Sequence, residues 1–403
     1  MERFKTLIAI CMLCISLQAC LQEVASNGDK LRTGAMQTGA YLPLLHAKKV
    51  ALVSNHATLI GKTHLADSLL SLDVDLVKIF APEHGFRGIA DAGEIIDHAT
   101  DSKTGLPVVS LYGSNKKPSP ASLENVDIIL FDLQDVGARF YTYIYTLSYV
   151  MEAAAEAGIP VIVLDRPNPN GFYVDGPVLE KEYASFVGMH PVPVVYGMTI
   201  GEYGRMVNGE YWIDDSLQCD LKVIPLKNYD RGKLYKLPVR PSPNLPDWKS
   251  VYLYPSLCLF EGTVMSVGRG TDHPFTVYGH PDFLTGSFAF TPEPRQGAKH
   301  PKLEGKQCFG QNLEGYAENY DQAEHHFNLL WLINAFEELG SDSSFFTPYF
   351  DKLAGTSRLR EQILSGTSEE KIRSSWQEDL DAFMEIRKKY LIYEDFKNAD
   401  NAY

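Results

Sequence analysis

From Lys49 onward, short apolar runs alternate with longer stretches whose apolar positions fall on one side. Val50-Ala51-Leu52-Val53-Ser54-Asn55, Leu76-Val77-Lys78-Ile79-Phe80, Pro107 to Leu111, Asp127-Ile128-Ile129-Leu130-Phe131 and Pro160 to Leu164 read as strands. These runs are continuous rather than alternating, the mark of strands covered on both faces. Lys62 to Leu72 carries Leu65, Leu69, Leu70 and Leu72 on one side and predicts a helix. Ala138 to Ala157 predicts a long helix, stopped by Gly158. A further helix, Thr199 to Asn208, and a strand, Leu221 to Ile224, continue the series. Strands and helices in this alternation predict an α/β fold, a Rossmann-like doubly wound and mostly parallel sheet.

The pattern changes in residues 238–255, where Pro241-Ser242-Pro243-Asn244-Leu245-Pro246 breaks any regular element. A domain boundary is placed near residue 250. Beyond it the chain is loop-rich to about 320, then helical around Ala323–Leu339, Ser357–Leu364 and Glu369–Tyr390. This predicts a second, smaller α+β domain at 251–403, closing a cleft against the first domain at 46–250.

The N-terminus adds a different element. Met1-Glu2-Arg3-Phe4-Lys5 precedes an apolar run from Leu7 to Leu17, too short to span a bilayer. Leu17-Gln18-Ala19-Cys20 then supplies a small residue before a cut. Residues 1–20 therefore predict a signal peptide, and the Leu-x-Ala-Cys ending resembles a bacterial lipobox. The expectation is an exported lipoprotein, anchored in the membrane through lipid on Cys20 and facing the periplasm or held at the outer membrane. Residues 21–45 read as a polar tether.

Composition narrows the function. The net charge of −14 opposes a nucleic-acid footprint, which needs basic surface. Of the six cysteines, three lie in the signal, and the odd remainder (Cys219, Cys258, Cys308) is no disulfide framework. No phosphate loop, no dinucleotide fingerprint after the first strand, no zinc-protease helix and no nucleophile elbow is present. No nucleotide, metal or other cofactor is expected.

Polar residues gather just after successive strands. They are Ser54-Asn55-His56, then Pro82-Glu83-His84-Gly85-Phe86-Arg87-Gly88, then Asp132-Leu133-Gln134-Asp135, and Asp165-Arg166-Pro167-Asn168-Pro169-Asn170. The carboxyl ends of parallel strands share one edge, where ligands bind. Helix capping and turn chemistry explain part of this, notably Asp165 and Asn170. Glu83 has no helix to start, so a chemical role is the stronger reading. Arg139 and Tyr141 follow the fourth strand. In the second half, Glu261 and the Gly-framed run Arg269-Gly270-Thr271-Asp272-His273 read as a pocket wall facing the first domain.

The stretches ALVSNHA, FAPEHGFRG, FDLQDVGARFYTYIYTL, LDRPNPNG, PSPNLP and LFEGTVMSVGRGTDHPF resemble the signature blocks of the exo-β-N-acetylmuramidase (NamZ-type) family. The resemblance runs from about Lys49 to the C-terminus. It implies a Rossmann-like domain plus a C-terminal domain, with the active site in the cleft between them. It also implies a peptidoglycan hydrolase that releases terminal N-acetylmuramic acid from the non-reducing end of wall fragments. The family's proposed catalytic acid falls on Glu83.

Glycoside hydrolysis needs an acid for the leaving oxygen and a second group at the oxocarbenium-like centre. Glu83 takes the acid role in this reading, its pKa raised by burial between Pro82 and Phe86. Asp132 and Asp135 are the candidates for the second catalytic group. The acetamido oxygen of the substrate can instead act as nucleophile, with Asp132, Asp135 or Asp165 holding its N–H. The lactyl carboxylate suits Arg87, Arg139 or Arg269 through a bidentate pair. Asn55, His56, His84, Gln134, Tyr141, Asp165, Asn168, Glu261, Asp272 and His273 complete the expected sugar contacts. Two other readings fit the same residues: a metal-assisted esterase or phosphatase using His56, Glu83, His84 and Asp132, and a lipoprotein that binds wall sugars without cleaving them.

Overall fold

The computed structural model describes residues 30–83, 85–87, 99–214, 217–319 and 327–396. The expectations on the signal peptide, on Cys20 and on His84 lie outside these residues.

The first half is a sheet of strands β1 (Val50–Ser54), β4 (Leu76–Ala81), β5 (Ala99–Thr100), β6 (Pro107–Ser110), β7 (Ile128–Asp132), β8 (Val161–Leu164) and β9 (Leu221–Ile224). A small antiparallel pair, β2 (Leu59–Ile60) and β3 (Thr63–His64), sits between β1 and β4. The order across the sheet is β5-β6-β4-β1-β7-β8-β9. All neighbours are parallel except the edge pair β5–β6. The chain winds outward from β1 through β4 to β6, then crosses back to β7 on the other side of β1. That reversal makes the β1–β7 boundary the switch point of a doubly wound sheet.

The central strands are buried throughout. Their residues alternate between two cores. Ala51, Val53, Ile129, Phe131, Val161 and Val163 face one core; Val50, Leu52, Ile128, Leu130, Ile162 and Leu164 face the other. Helices α1 (Thr38–Leu45) and α2 (Leu65–Ser71) cover the second face, and α3 (Tyr143–Ala157) and α4 (Ile200–Gly209) the first. The folded chain starts earlier than the expected tether allows. A short 3-10 turn (Gly34–Met36) leads into α1, where Tyr41 and Leu45 are buried in the second core. Gly34 passes so close to β8 that a Cβ would lie 2.5 Å from the Asp165 amide nitrogen.

Helix α3 begins at Tyr143, five residues after the expected start. Ala138 and Arg139 instead pair with the neighbouring Val194–Val195 segment, Arg139 N–H donating to the Val194 carbonyl at 2.8 Å. Tertiary pairing there overrides helix propensity.

The second half opens with α5 (Trp248–Leu257), capped by Asp247 and Ser250, and a 3-10 turn at Cys258–Gly262. A three-stranded antiparallel sheet follows, β10 (Val277–His280), β11 (Phe288–Phe290) and β12 (Cys308–Asn312), in the order β10-β12-β11. Helices α6 (Glu314–Glu318), α7 (Leu330–Glu338), α8 (Phe350–Ala354), α9 (Arg358–Leu364), α10 (Glu369–Ser374) and α11 (Gln377–Lys388) complete it. The long helix expected over 369–390 is thus two helices, broken at the buried Trp376. The protein is a Rossmann-like sheet joined to a smaller mixed α+β region. One apolar core runs through both, from Phe131 and Ile144 to Phe260, Phe336 and Phe383. Cys219, Cys258 and Cys308 are free and buried. No helix among the described residues is long and apolar enough to cross a membrane.

Candidate active site

A small cleft, about 70 Å³, opens between the carboxyl edge of the sheet and the second half. The sheet contributes Glu83 and the run Phe140 to Tyr143. The joining segment contributes Ser242, Asn244 and Leu245, and the second half adds Tyr254, Arg269 and Phe275.

Glu83 stands just past the end of β4. The Gly85 amide donates to the Pro82 carbonyl at 3.0 Å, closing a turn around it, and Gly85 takes a φ of 71°. The carboxylate is partly exposed, and the Thr142 hydroxyl donates to its Oε2 at 3.3 Å. The Tyr143 hydroxyl meets the Glu83 carbonyl at 3.4 Å and accepts from Asn55 Nδ2 at 2.8 Å. Asn55 is itself fixed by Ala57 and Thr58. Asn55 therefore acts one layer behind the cleft, bracing the tyrosine that braces the Glu83 backbone. Phe86 does not enclose Glu83. It joins the opposite core and packs edge-on against His64 at 4.8 Å.

Arg269 faces the cleft from the other side. Gly268 and Gly270 frame it with φ values of 75° and 83°. A Cβ at either would collide with backbone, at 2.5 Å from the His273 oxygen or 2.7 Å from the Glu293 oxygen. Only glycine fits both positions. Glu261 pairs with the guanidinium, at 2.7 Å to Nε and 3.2 Å to Nη2. Burial opposes the Arg269 charge, but Glu261 beside it wins and raises the guanidinium pKa further. Lys302 secures the turn that carries Glu261, donating to the carbonyls of Thr263 at 2.6 Å and Glu261 at 3.1 Å. Phe275 lies beneath Arg269, 5.1 Å from ring centre to guanidinium carbon. Its backbone is held at a φ of 55°, a strained conformation for a bulky residue. Tyr254 and Tyr141 continue the aromatic wall edge to face. The Tyr141 hydroxyl donates to the Pro241 carbonyl at 2.8 Å, tying sheet to joining segment.

Of the residues expected from sequence, Glu83, Tyr141 and Arg269 line the cleft, with Asn55 and Glu261 directly behind. The rest sit elsewhere. Asp132 is fully buried, both oxygens held by Arg166, with Nη2 to Oδ2 at 2.8 Å. Asp135 is buried beside Tyr196, which donates to it, and its Oδ2 accepts from Gly137 at 2.7 Å. Burial pushes the Asp135 carboxyl up to about 6, against the opposing bonds from Tyr196 and Gly137. Asp165 holds the start of α4 through Gly201 and Thr199 and accepts from Tyr393 at 2.5 Å. Burial also pushes it up to about 6.

Gln134 and Asn168 bond buried backbone. His56 meets the Arg240 carbonyl at 2.9 Å. Arg87 forms a two-pronged pair with Asp101 at 2.9 and 2.7 Å. Arg139 is fully buried and spends its guanidinium on four carbonyls. Asp272 is exposed and paired with Arg295, and His273 contacts Glu314 at 2.8 Å. No group of three or more His, Cys, Asp or Glu side chains suited to a metal occurs among the described residues.

The sequence reading missed Thr142, Ser242, Asn244, Tyr254 and Phe275 as wall residues. A signal was present for two of them: Ser242 and Asn244 are polar positions locked between prolines. Neither Tyr254, inside a helix, nor Thr142, in an aromatic run, offered one.

A two-half molecule with a carboxylate on a sheet edge facing an arginine across an aromatic-walled cleft has the form of a glycoside hydrolase. Residues 50–249 match the family described as exo-beta-N-acetylmuramidase NamZ, N-terminal, and residues 252–393 match its C-terminal counterpart. The chain belongs to the NamZ family of exo-β-N-acetylmuramidases, which are peptidoglycan hydrolases. It is 43% identical to the peptidoglycan beta-N-acetylmuramidase NamZ of Bacillus subtilis (strain 168), over 91% of this chain and 94% of that protein. Two crystal structures of DUF1343 family proteins from Bacteroides fragilis NCTC 9343 share its fold. One has a TM-score of 0.83 at 47% identity, covering 91% of this chain and 99% of that one. The other has a TM-score of 0.76 at 29% identity, covering 91% and 100%.

Proposed function

We propose that this chain is an exo-acting β-N-acetylmuramidase that releases terminal N-acetylmuramic acid from the non-reducing end of peptidoglycan fragments. The observation that carries this reading is the pairing of Glu83 with Arg269 across one cleft. Glu83 is the one carboxylate among the described lining residues. It protonates the glycosidic oxygen as the bond breaks. Thr142 orients its carboxyl group from one side through Oε2, and Oε1 meets no donor among the described residues.

Arg269 holds the lactyl carboxylate. Of the three guanidiniums considered from sequence, Arg87 is committed to Asp101 and Arg139 to backbone carbonyls. Among the described residues no group accepts from Arg269 Nη1, so the guanidinium can pair with a second carboxylate beside Glu261. Tyr141, Tyr254 and Phe275 present apolar surface to the sugar. Because Asp132, Asp135 and Asp165 are all bonded below the sheet edge, the substrate's own acetamido oxygen is the better candidate for the second group at the anomeric carbon.

Glu83→Gln keeps size and the Thr142 contact but cannot supply a proton. Turnover of a chromogenic N-acetylmuramic acid β-glycoside should fall at least 1,000-fold, on the order expected for a lost general acid, with the melting temperature unchanged. Near-normal turnover sinks the acid assignment.

The same reading places the enzyme outside the cytoplasm, anchored by lipid on Cys20 and reaching wall fragments from the membrane surface. The supporting observation is the Leu-x-Ala-Cys ending after an apolar run. Labelled fatty acid should enter the wild-type chain and not Cys20→Ser; equal labelling of both removes the anchor.

A further inference from the structure

Resting on the muramidase reading, we infer that Asn244 is the residue that recognises the substrate's 2-acetamido group, its side-chain oxygen accepting the acetamido N–H. Asn244 lines the same cleft as Glu83 and Arg269 and is only 6% exposed. Its Nδ2 donates to the Gly297 carbonyl at 2.7 Å. A carbonyl accepts only from the amide NH₂, so this bond fixes which way the side chain faces. The oxygen, Oδ1, is then the free end of the amide, and no group among the described residues donates to it.

An amide oxygen on a residue that lines the cleft can accept from a ligand's N–H. The loop around it is built to hold the orientation. Pro243 precedes Asn244, and the Leu245 amide donates to the Ser242 carbonyl at 3.2 Å, closing a tight turn. Gly297 sits at a φ of 87° with its missing Cβ only 2.7 Å from the Pro243 ring, so its carbonyl can reach Asn244.

The chemistry needed at this spot is specific. A sugar gripped by its lactyl carboxylate at Arg269 and by its leaving oxygen at Glu83 still carries one amide. That amide offers one N–H donor and one carbonyl oxygen. A neutral, fixed acceptor satisfies the N–H and leaves the acetamido oxygen free to approach the anomeric carbon. An aspartate was the residue type expected for this task; an asparagine locked by its own NH₂ group performs it without adding a second negative charge beside Glu83. Ser242, 5% exposed, lines the same cleft and flanks it as a hydroxyl contact for the ring.

The test compares two ligands on one protein: methyl β-N-acetylmuraminide and its 2-O-acetyl counterpart, which replaces the N–H by an ether-like oxygen. Binding is measured by calorimetry with wild type, Asn244→Leu and Asn244→Ser. Wild type should bind the amide on the order of 10- to 100-fold more tightly than the ester, because the ester loses the bond and sets oxygen against oxygen. In both variants that ratio should fall to within about threefold of unity. The ratio is taken within each variant, so loss of folded protein does not mimic the result. An unchanged ratio in the two variants, equal binding of both ligands by wild type, or no binding of either ligand by wild type overturns the assignment. Turnover of the chromogenic substrate is followed separately: binding that discriminates the amide without any hydrolysis would defeat the muramidase reading and leave Asn244 standing.

Discussion

At the scale of single residues, the cleft separates groups that are committed from groups that are held in reserve. Arg87, Arg139 and Arg269 are indistinguishable as residue types, and the sequence offered no way to choose among them. Their partners decide it: a buried carboxylate gripped at both oxygens, four backbone carbonyls, and a half-buried carboxylate that leaves one guanidinium edge open. Arg269→Lys should therefore raise KM for a substrate with a free lactyl carboxylate about tenfold while changing kcat little, since a point charge replaces a planar fork. The corresponding N-acetylglucosaminide, which lacks the lactyl group, should show no such change in a competition assay; equal effects on both would remove Arg269 from recognition. Glu83 was legible because a carboxylate between a proline and a turn glycine has no capping task. Asp132, Asp135 and Asp165 were equally visible but misleading, because a buried aspartate after a strand looks the same whether it meets a sugar, an arginine or a helix start.

Elements show a different balance. Every central strand was readable, because full burial on both faces leaves an unbroken apolar run. Helix starts were less so. Residues 138–142 carry helix-compatible side chains yet lie along a neighbouring segment, and only the long-range pairing with Val194 and Val195 determines this. The same detour places Arg139 against the end of α8. Its Nη2 donates to the carbonyls of Leu353 and Ala354 at 2.9 and 2.7 Å, and its Nη1 to those of Pro177 and Val192. A cation at a helix C-terminus complements the negative end of the helix dipole and satisfies carbonyls that have no partner within the helix. Arg139→Met keeps the apolar bulk but strands four buried acceptors. It should cost about 3–5 kcal/mol, the range for breaking a buried charged network, seen as a lower denaturant midpoint. A loss under 1 kcal/mol would mean that water replaces the guanidinium.

For the molecule as a whole, buried carboxylates set an unusual pH profile. Asp135 and Asp165 are both pushed up to about 6, chiefly by burial. A carboxyl whose pKa is higher in the folded state favours folding when protonated. Their contribution is full below about pH 4, the unfolded value, and is lost as pH rises through about 6. Asp101 behaves oppositely. Although burial raises it, the bonds from Arg87 and Thr104 win and lower it to about 2. Its contribution is present above about pH 4 and fades as pH falls toward 2. Stability should therefore pass through a maximum on the acid side of neutrality. Asp135→Asn removes one of the two high-pH losses, so the gap between wild type and variant should shift by about 2–3 kcal/mol, in favour of the variant, from pH 4.5 to 7.5. Parallel unfolding curves at both pH values would contradict this.

The proline-rich joint marks a change of pattern along the sequence, but the single apolar core that runs through both halves has no local signature.

Glu83 belongs to the sheet, whereas Arg269 belongs to a glycine-framed loop of the second half and Asn244 to the joint between them. Reactivity and appetite are thus encoded in different stretches of the gene. With Glu83 as the proposed proton donor and Arg269 as the proposed carboxylate grip, drift in the loop around Arg269 would redirect the enzyme toward another sugar while Glu83 is inherited untouched. A fold arranged in this way diversifies by changing what it holds, not what it does.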